Sequence, residues 1–335
     1  MSGTCEQCNG KLGCFSGTKA CVKCEKILCS KCAGKHPLIP FDETKPEESN
    51  DLSKNGTVQS YCKGCFPETS VLDFTKTYDV VHPKNGSAEA MTFLMVHGGG
   101  GSRAMFRPHA EILSTKGFRS ILMDLPGHGS LADIPLTLDS CVATVQEVLD
   151  KENLDGRHVI YVGGSLGAYI GFYVLEKLQD RFSGAVLMDC GQNVGPDCSF
   201  KARVGLVVLR FVSKSMSNKG LSETMAGISK KSPANWKVVE STFGAGMFFD
   251  QAVQQIECLH SVQPADHIPS YDFPILFFNG SEDYRDSEDK WLRLCKDRER
   301  SSLKVYEGGD HFFSHDARFV DDLIDRMVRF SSHCA

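Results

Sequence analysis

From Val71 onward the chain alternates short, nearly continuous apolar runs with longer amphipathic stretches. The runs are TFLMV (92–96), RSILMDL (119–125), HVIYVG (158–163), GAVLMDC (184–190), PILFFNG (274–280) and LKVYEG (303–308), the pattern of parallel strands covered on both faces. Between them the spacing predicts helices near 107–116, 138–152, 166–180, 286–296 and 316–331. Strand then helix, repeated, predicts an α/β fold built on a doubly wound, mostly parallel sheet. The rhythm breaks between about 192 and 267, where a largely helical insertion separates two strands as a cap. Its apolar residues, Val204, Val207, Phe211, Phe249 and Val253 among them, either line an acyl pocket or pack the cap onto the core. Residues 1–66 differ in texture: rich in Cys and Lys and poor in long apolar runs, they are too small and polar to fold on core burial alone. The expected organisation is a small unit over 1–66 and a large one over 67–335.

Composition supports a globular chain. Of 335 residues, 41% are hydrophobic and 24% charged, enough for a sizeable core. Lys+Arg 37 against Asp+Glu 42 gives a net charge of -5, and hence no general attraction for nucleic acid or anionic membranes, although a local patch stays open. No apolar run approaches the roughly 18 residues of a membrane span. The opening MSGTCEQCNG lacks the basic and apolar regions of a secretory signal, so a cytoplasmic location with reduced thiols is expected.

Reduced thiols change the reading of the 15 cysteines, nine of which lie in the first 65 residues. Eight form C-x2-C pairs: Cys5–Cys8, Cys21–Cys24, Cys29–Cys32 and Cys62–Cys65. Each pair can present two thiolates to one tetrahedral ion, so the eight are expected to hold two structural zinc ions with no open position for catalysis. The short gap inside CVKCEKILCSKC favours an interleaved arrangement, with Cys5, Cys8, Cys29 and Cys32 on one ion and Cys21, Cys24, Cys62 and Cys65 on the other. Sequential pairing is the alternative. The framework, including the closing YCKGCF, resembles a FYVE-type zinc finger over residues 5–66. The basic and tryptophan-containing segments that grip phosphoinositide in such fingers are replaced here by MSGT, SGTKA and QSY. A structural or protein-binding finger is therefore expected. Weak phosphoinositide contact, with peripheral placement at an endosomal membrane, is the lesser expectation.

The larger unit carries a second constellation. HVIYV runs into Gly163-Gly164-Ser165-Leu166-Gly167, followed by an apolar helical stretch: G-x-S-x-G between a strand and a helix, the setting of a nucleophile elbow. A serine hydroxyl needs a base to accept its proton, and the base needs an orienting carboxylate, in the chain order Ser, acid, His. Asp283 follows PILFFNG and His311 follows LKVYEG, so all three stand just past strand ends. Glu282 and Asp189 are alternative acids. His97 and His128 are expected to hold loops by hydrogen bonds, and His315 to face with His311 if a helix begins there. The string His97-Gly98-Gly99-Gly100-Gly101-Ser102 brings backbone N–H groups to where an oxyanion donor is needed, and Leu166, after the serine, supplies a second N–H.

Together with DLPGHGS after the next strand, these motifs resemble the α/β-hydrolase fold family over roughly residues 71–333. The resemblance implies attack by Ser165 on an acyl carbonyl, an oxyanion held by Gly99 and Leu166, and an acyl-enzyme hydrolysed by water activated through His311. The expected substrate is a small-molecule or lipid ester, or a thioester. A peptidase on the same fold and a non-catalytic zinc-finger adaptor or scaffold are the competing readings.

Overall fold

The computed structural model describes residues 75–84, 91–154, 158–216 and 247–334, single positions at 221, 224, 232 and 234, and the backbone of four short strands nearer the N-terminus. Those four pair antiparallel, Lys19–Ala20 with Ile27–Leu28 and Gly34–Pro37 with Val58–Tyr61. The eight pairing cysteines lie outside the described residues.

Seven strands form the main sheet: β1 (Tyr78–Val81), β2 (Thr92–Val96), β3 (Arg119–Met123), β4 (Val159–Gly164), β5 (Gly184–Met188), β6 (Ile275–Gly280) and β7 (Ser302–Tyr306). Their order is β7-β6-β5-β4-β2-β3-β1. Every pairing is parallel except that of β1 with β3 at one edge. The six anticipated strands are present within two residues of their expected ends. β1 was not anticipated, because YDVV is short, half-buried and hemmed by polar residues, so it carries no long apolar run.

The nearly continuous apolar strands feed two cores at once. Along β2, Leu94 and Val96 join one core while Phe93 and Met95 join the other, and β4 divides the same way, Tyr161 against Ile160 and Val162. Helices α2 (Leu138–Lys151), α3 (Leu166–Lys177) and α6 (Glu288–Leu294) cover the first face. Helices α1 (Arg107–Thr115) and α7 (Val320–Cys334) cover the second. A capping box starts α2, with Thr137 accepting from the Ser140 N–H and Ser140 accepting from that of Thr137. Between β5 and β6 lies the cap, which contributes α4 (Phe200–Ser215) and α5 (Ala252–Ser261). No helix among the described residues is long and apolar enough to cross a membrane.

Candidate active site

Ser165 sits between the end of β4 and the start of α3, at φ 48° and ψ -114°. A non-glycine residue there stores roughly 1–3 kcal/mol of backbone strain, held by its surroundings. The glycines around it are dictated by space. A Cβ on Gly163 would lie 2.7 Å from the Ala168 nitrogen, and one on Gly167 would lie 2.4 Å from the Val96 carbonyl oxygen. Only glycine lets the turn close this tightly against β2.

Two further loops come to the serine from neighbouring strand ends. Their backbones are stitched together, Ser281 N–H to the Tyr306 carbonyl at 2.9 Å and Glu282 N–H to the Gly309 carbonyl at 2.8 Å. Gly280 and Gly309 make the contact possible, since a Cβ on Gly280 would fall 2.1 Å from the Gly309 oxygen. The stitching sets Asp283 and His311 side by side. His311 Nδ1 lies 2.9 Å from Asp283 Oδ2, and His311 Nε2 lies 3.0 Å from Ser165 Oγ. With Nδ1–H donating to the carboxylate, Nε2 is left to accept the serine proton. Glu282 is exposed and points no hydrogen bond at the imidazole.

The third carboxyl, Asp189, is buried at the end of β5 with φ 56°. Its Oδ1 has no hydrogen-bond partner. Burial pushes this carboxyl well above the usual range, against a smaller downward pull from His311. His311 itself experiences opposed pulls. Desolvation lowers it, but the hydrogen bond and charge of Asp283, with smaller pushes from Asp189 and Asp310, prevail and raise it to about 9. The imidazole side chain is 42% exposed, and the largest upward push on it is its hydrogen bond to Asp283. Asp189, Asp283 and His311 are also the one group among the described residues whose ligand atoms lie close enough to share a cation, within 4.8 Å. Both imidazole nitrogens are engaged already, so ligation would break the bond to Asp283 or the one to Ser165.

The glycine-rich loop after β2 runs past the serine. A Cβ on Gly98 would stand 3.3 Å from Ser165 Cβ, and one on Gly99 3.8 Å from the Leu166 side chain. Gly98 N–H is turned to Met105 Sδ, Gly100 N–H to His128 Nε2 and Gly101 N–H to the Gly98 carbonyl. Among the described residues, no acceptor takes the Gly99 N–H. Leu166 opens α3, where first-turn N–H groups have no partner within the helix.

His97 and His128 hold this loop. Nδ1 of His97 donates to the Gly98 carbonyl at 2.8 Å, which leaves Nε2 to accept from Leu125 N–H at 3.0 Å. His128 bonds the Pro126 carbonyl through Nδ1 and accepts from Gly100 through Nε2. Each therefore needs a single neutral tautomer, and burial pushes His97 down to about 4 and His128 to about 3. His315 does not face with His311. It is buried against the Met105 carbonyl, because only a short 3-10 turn over Phe313–His315 follows the loop.

A model of the alpha/beta hydrolase family matches residues 93–323. The chain belongs to the alpha/beta hydrolase family. Among solved structures it is similar to the enol-lactonase from Burkholderia xenovorans LB400, with TM-score 0.60 and 16% identity over 76% of this chain and 95% of that one. It is also similar to a thermophilic esterase from Thermogutta terrifontis, with TM-score 0.59 and 20% identity over 76% and 93% of the two chains. A third is the esterase EaEST from Exiguobacterium antarcticum, with TM-score 0.58 and 18% identity over 76% and 94%. No curated protein matches the sequence significantly.

Two supports of this hydrolase's site were not anticipated from the sequence. Arg103, fully buried after the glycine loop, bonds Asp124 Oδ2 through Nη1 at 2.5 Å and Asp79 through Nε at 3.1 Å. Asp124 also accepts from the Arg103 and Ser130 N–H groups, tying the glycine loop to the loop after β3. The cap adds a strap: Phe248 N–H reaches the Gly100 carbonyl at 3.0 Å, and Gln251 bonds Ala132, Ile134 and Leu136. A lone arginine in SRAMF and a glutamine just before a cap helix carry no spacing signal, so only the folded chain reveals them.

Proposed function

We propose that this hydrolase cleaves carboxylic esters, lipid esters or thioesters included, through an acyl-enzyme on Ser165. The observation that carries the reading is the continuous hydrogen-bonded chain Ser165 Oγ, His311 Nε2, His311 Nδ1, Asp283 Oδ2. In the first step the Ser165 oxygen bonds the acyl carbon while its proton passes to His311 Nε2. Asp283 stabilises the imidazolium that forms. The carbonyl oxygen becomes an oxyanion facing the N–H groups of Gly99 and Leu166. Collapse of this adduct breaks the bond to the leaving alcohol, which takes the proton from His311. Water then attacks the acyl-enzyme, giving its proton to His311, and the acid leaves as Ser165 Oγ regains the proton. The similarly folded proteins include two esterases and an enol-lactonase, which favours ester substrates over peptides.

A panel of esters graded in chain length tests the reading. Turnover of at least one is expected, with Ser165→Ala losing about 10⁵-fold or more. Unchanged turnover in that variant would overturn it.

The N-terminal cysteines carry a separate part of the proposal: two structural zinc ions in a FYVE-like finger, supported by four C-x2-C pairs offering eight thiolates. Two zinc ions per purified chain are expected by elemental analysis, and none would contradict it. Chelation should leave ester turnover unchanged.

A further inference from the structure

Helix α4 turns its apolar side outward. Ala202 is its one buried residue, whereas Phe200, Phe211 and Val207 are 82%, 72% and 64% exposed. At about 100° per residue, Phe200, Val204, Val207, Val208 and Phe211 fall within an arc of about 100°, a single ridge along the helix. On the same projection Lys201 borders one side of the ridge, and Arg203, Arg210 and Lys214 border the other. The helix holds four basic residues and no acidic one, in a chain of net charge -5. Arg210 is braced by Glu257 of α5 at 2.5 Å, and Arg203 by the Pro196 carbonyl at 2.8 Å, so the basic border on that side is held in place.

An exposed ridge of this size needs a partner. A bilayer boundary suits the pattern directly: the ridge enters the acyl region while the Lys201 and Lys214 stems lie along it and lift their charges to the lipid phosphates. The ridge also continues into an open groove of about 730 Å³ between α4 and α5, lined by Val207, Phe211, Met216, Phe249 and Val253 among others. The groove's inner wall, Phe249, covers Gly100 of the glycine loop so closely that a Cβ there would meet the ring at 2.2 Å.

We propose that the outer face of α4 seats this protein on an anionic lipid surface. Docking by α4 does not depend on Ser165 chemistry, so the two can fail separately. The test is flotation of the full chain with vesicles of phosphatidylcholine and phosphatidylserine, free of phosphoinositide, against vesicles of phosphatidylcholine alone. Wild type and Ser165→Ala are expected to float equally with the anionic vesicles and far less with the neutral ones. Val207→Glu with Phe211→Glu is expected to reduce flotation by about tenfold or more, since binding scales with the apolar area inserted. Lys201→Glu with Lys214→Glu should do the same and remove the salt dependence. Circular dichroism and the thermal midpoint check that the variants fold. The proposal is overturned if wild type does not float, or if the Val207→Glu, Phe211→Glu chain floats like wild type, which would put binding elsewhere. It is equally overturned if that variant converts a dimer to a monomer while vesicles fail to capture the wild type, because a second copy then covers the face.

Discussion

Helices α3 and α4 both carry many apolar residues yet end in opposite environments. In α3, LGAYIGFYVLEK, nine of twelve residues are buried, and in α4, FKARVGLVVLRFVSKS, only Ala202 is. The difference is the distribution of charge around each helix. Up to its last turn α3 is apolar on every side, with Gly167 pressed on β2 and Gly171 on Tyr161, so it sits inside the layers. α4 carries a ridge with basic borders and packs through its opposite side. Apolar spacing therefore predicts a helix, and charge placement decides whether it is a wall or a surface. The proposed chemistry hangs from the first helix: its N-terminus holds Ser165, and the loops around it are pinned by buried bonds. The cap meets that region through the Phe248 and Gln251 strap.

Breaking the pinned region should cost most. Asp283→Asn is expected to lower kcat by about 10⁴-fold, because the amide presents the wrong partner to His311 Nδ1–H. The pH dependence gives its sign. His311 must be neutral to accept the serine proton, and its neighbouring carboxyls, Asp283 foremost, outweigh desolvation and raise it from 6.5 to about 9. Thus kcat/KM should climb with pH, about tenfold per unit below an apparent pKa lying above 6.5, and the residual activity of Asp283→Asn should show that limb moved down. A wild-type limb at or below 6.5 would contradict the assignment of Asp283.

Arg103→Ala comes next. It leaves Asp124 buried without its cation, so a loss of about 3–5 kcal/mol is expected in denaturant unfolding. Leu175→Ala in α3 is expected to cost about 2–5 kcal/mol by opening a cavity in a fully buried site. Val207→Ser with Phe211→Ser in α4 should change stability by no more than about 0.5 kcal/mol each. A large loss there would mean that the ridge is covered within the chain and would erase the contrast between the two helices.

Much of this was legible in the sequence because it is local. G-x-S-x-G between a strand and a helix marks Ser165, and acid and histidine past later strands mark Asp283 and His311, since each motif reports its own turn. The sequence ranks Asp283 ahead of Asp189 by position alone and leaves the alternative open. Both follow strands, and the bond from His311 Nδ1 to Asp283 Oδ2 separates them. The outward turn of α4 was not legible: the same valines and phenylalanines read equally well as pocket lining or packing, because a sequence does not state which side of an amphipathic helix meets the core. Arg103 with Asp124 joins residues 21 positions apart, a distance no motif spans. His97 and His128 were recognisable as loop holders, but their tautomers follow from carbonyls that only the fold supplies.

The most direct measurement is the intact mass of the chain after reaction with a fluorophosphonate, followed by peptide mapping. One adduct per chain on Ser165 is expected, slowed strongly in His311→Ala and absent in Ser165→Ala. No adduct, or one that persists when Ser165 is replaced, would contradict a nucleophile at the turn between β4 and α3.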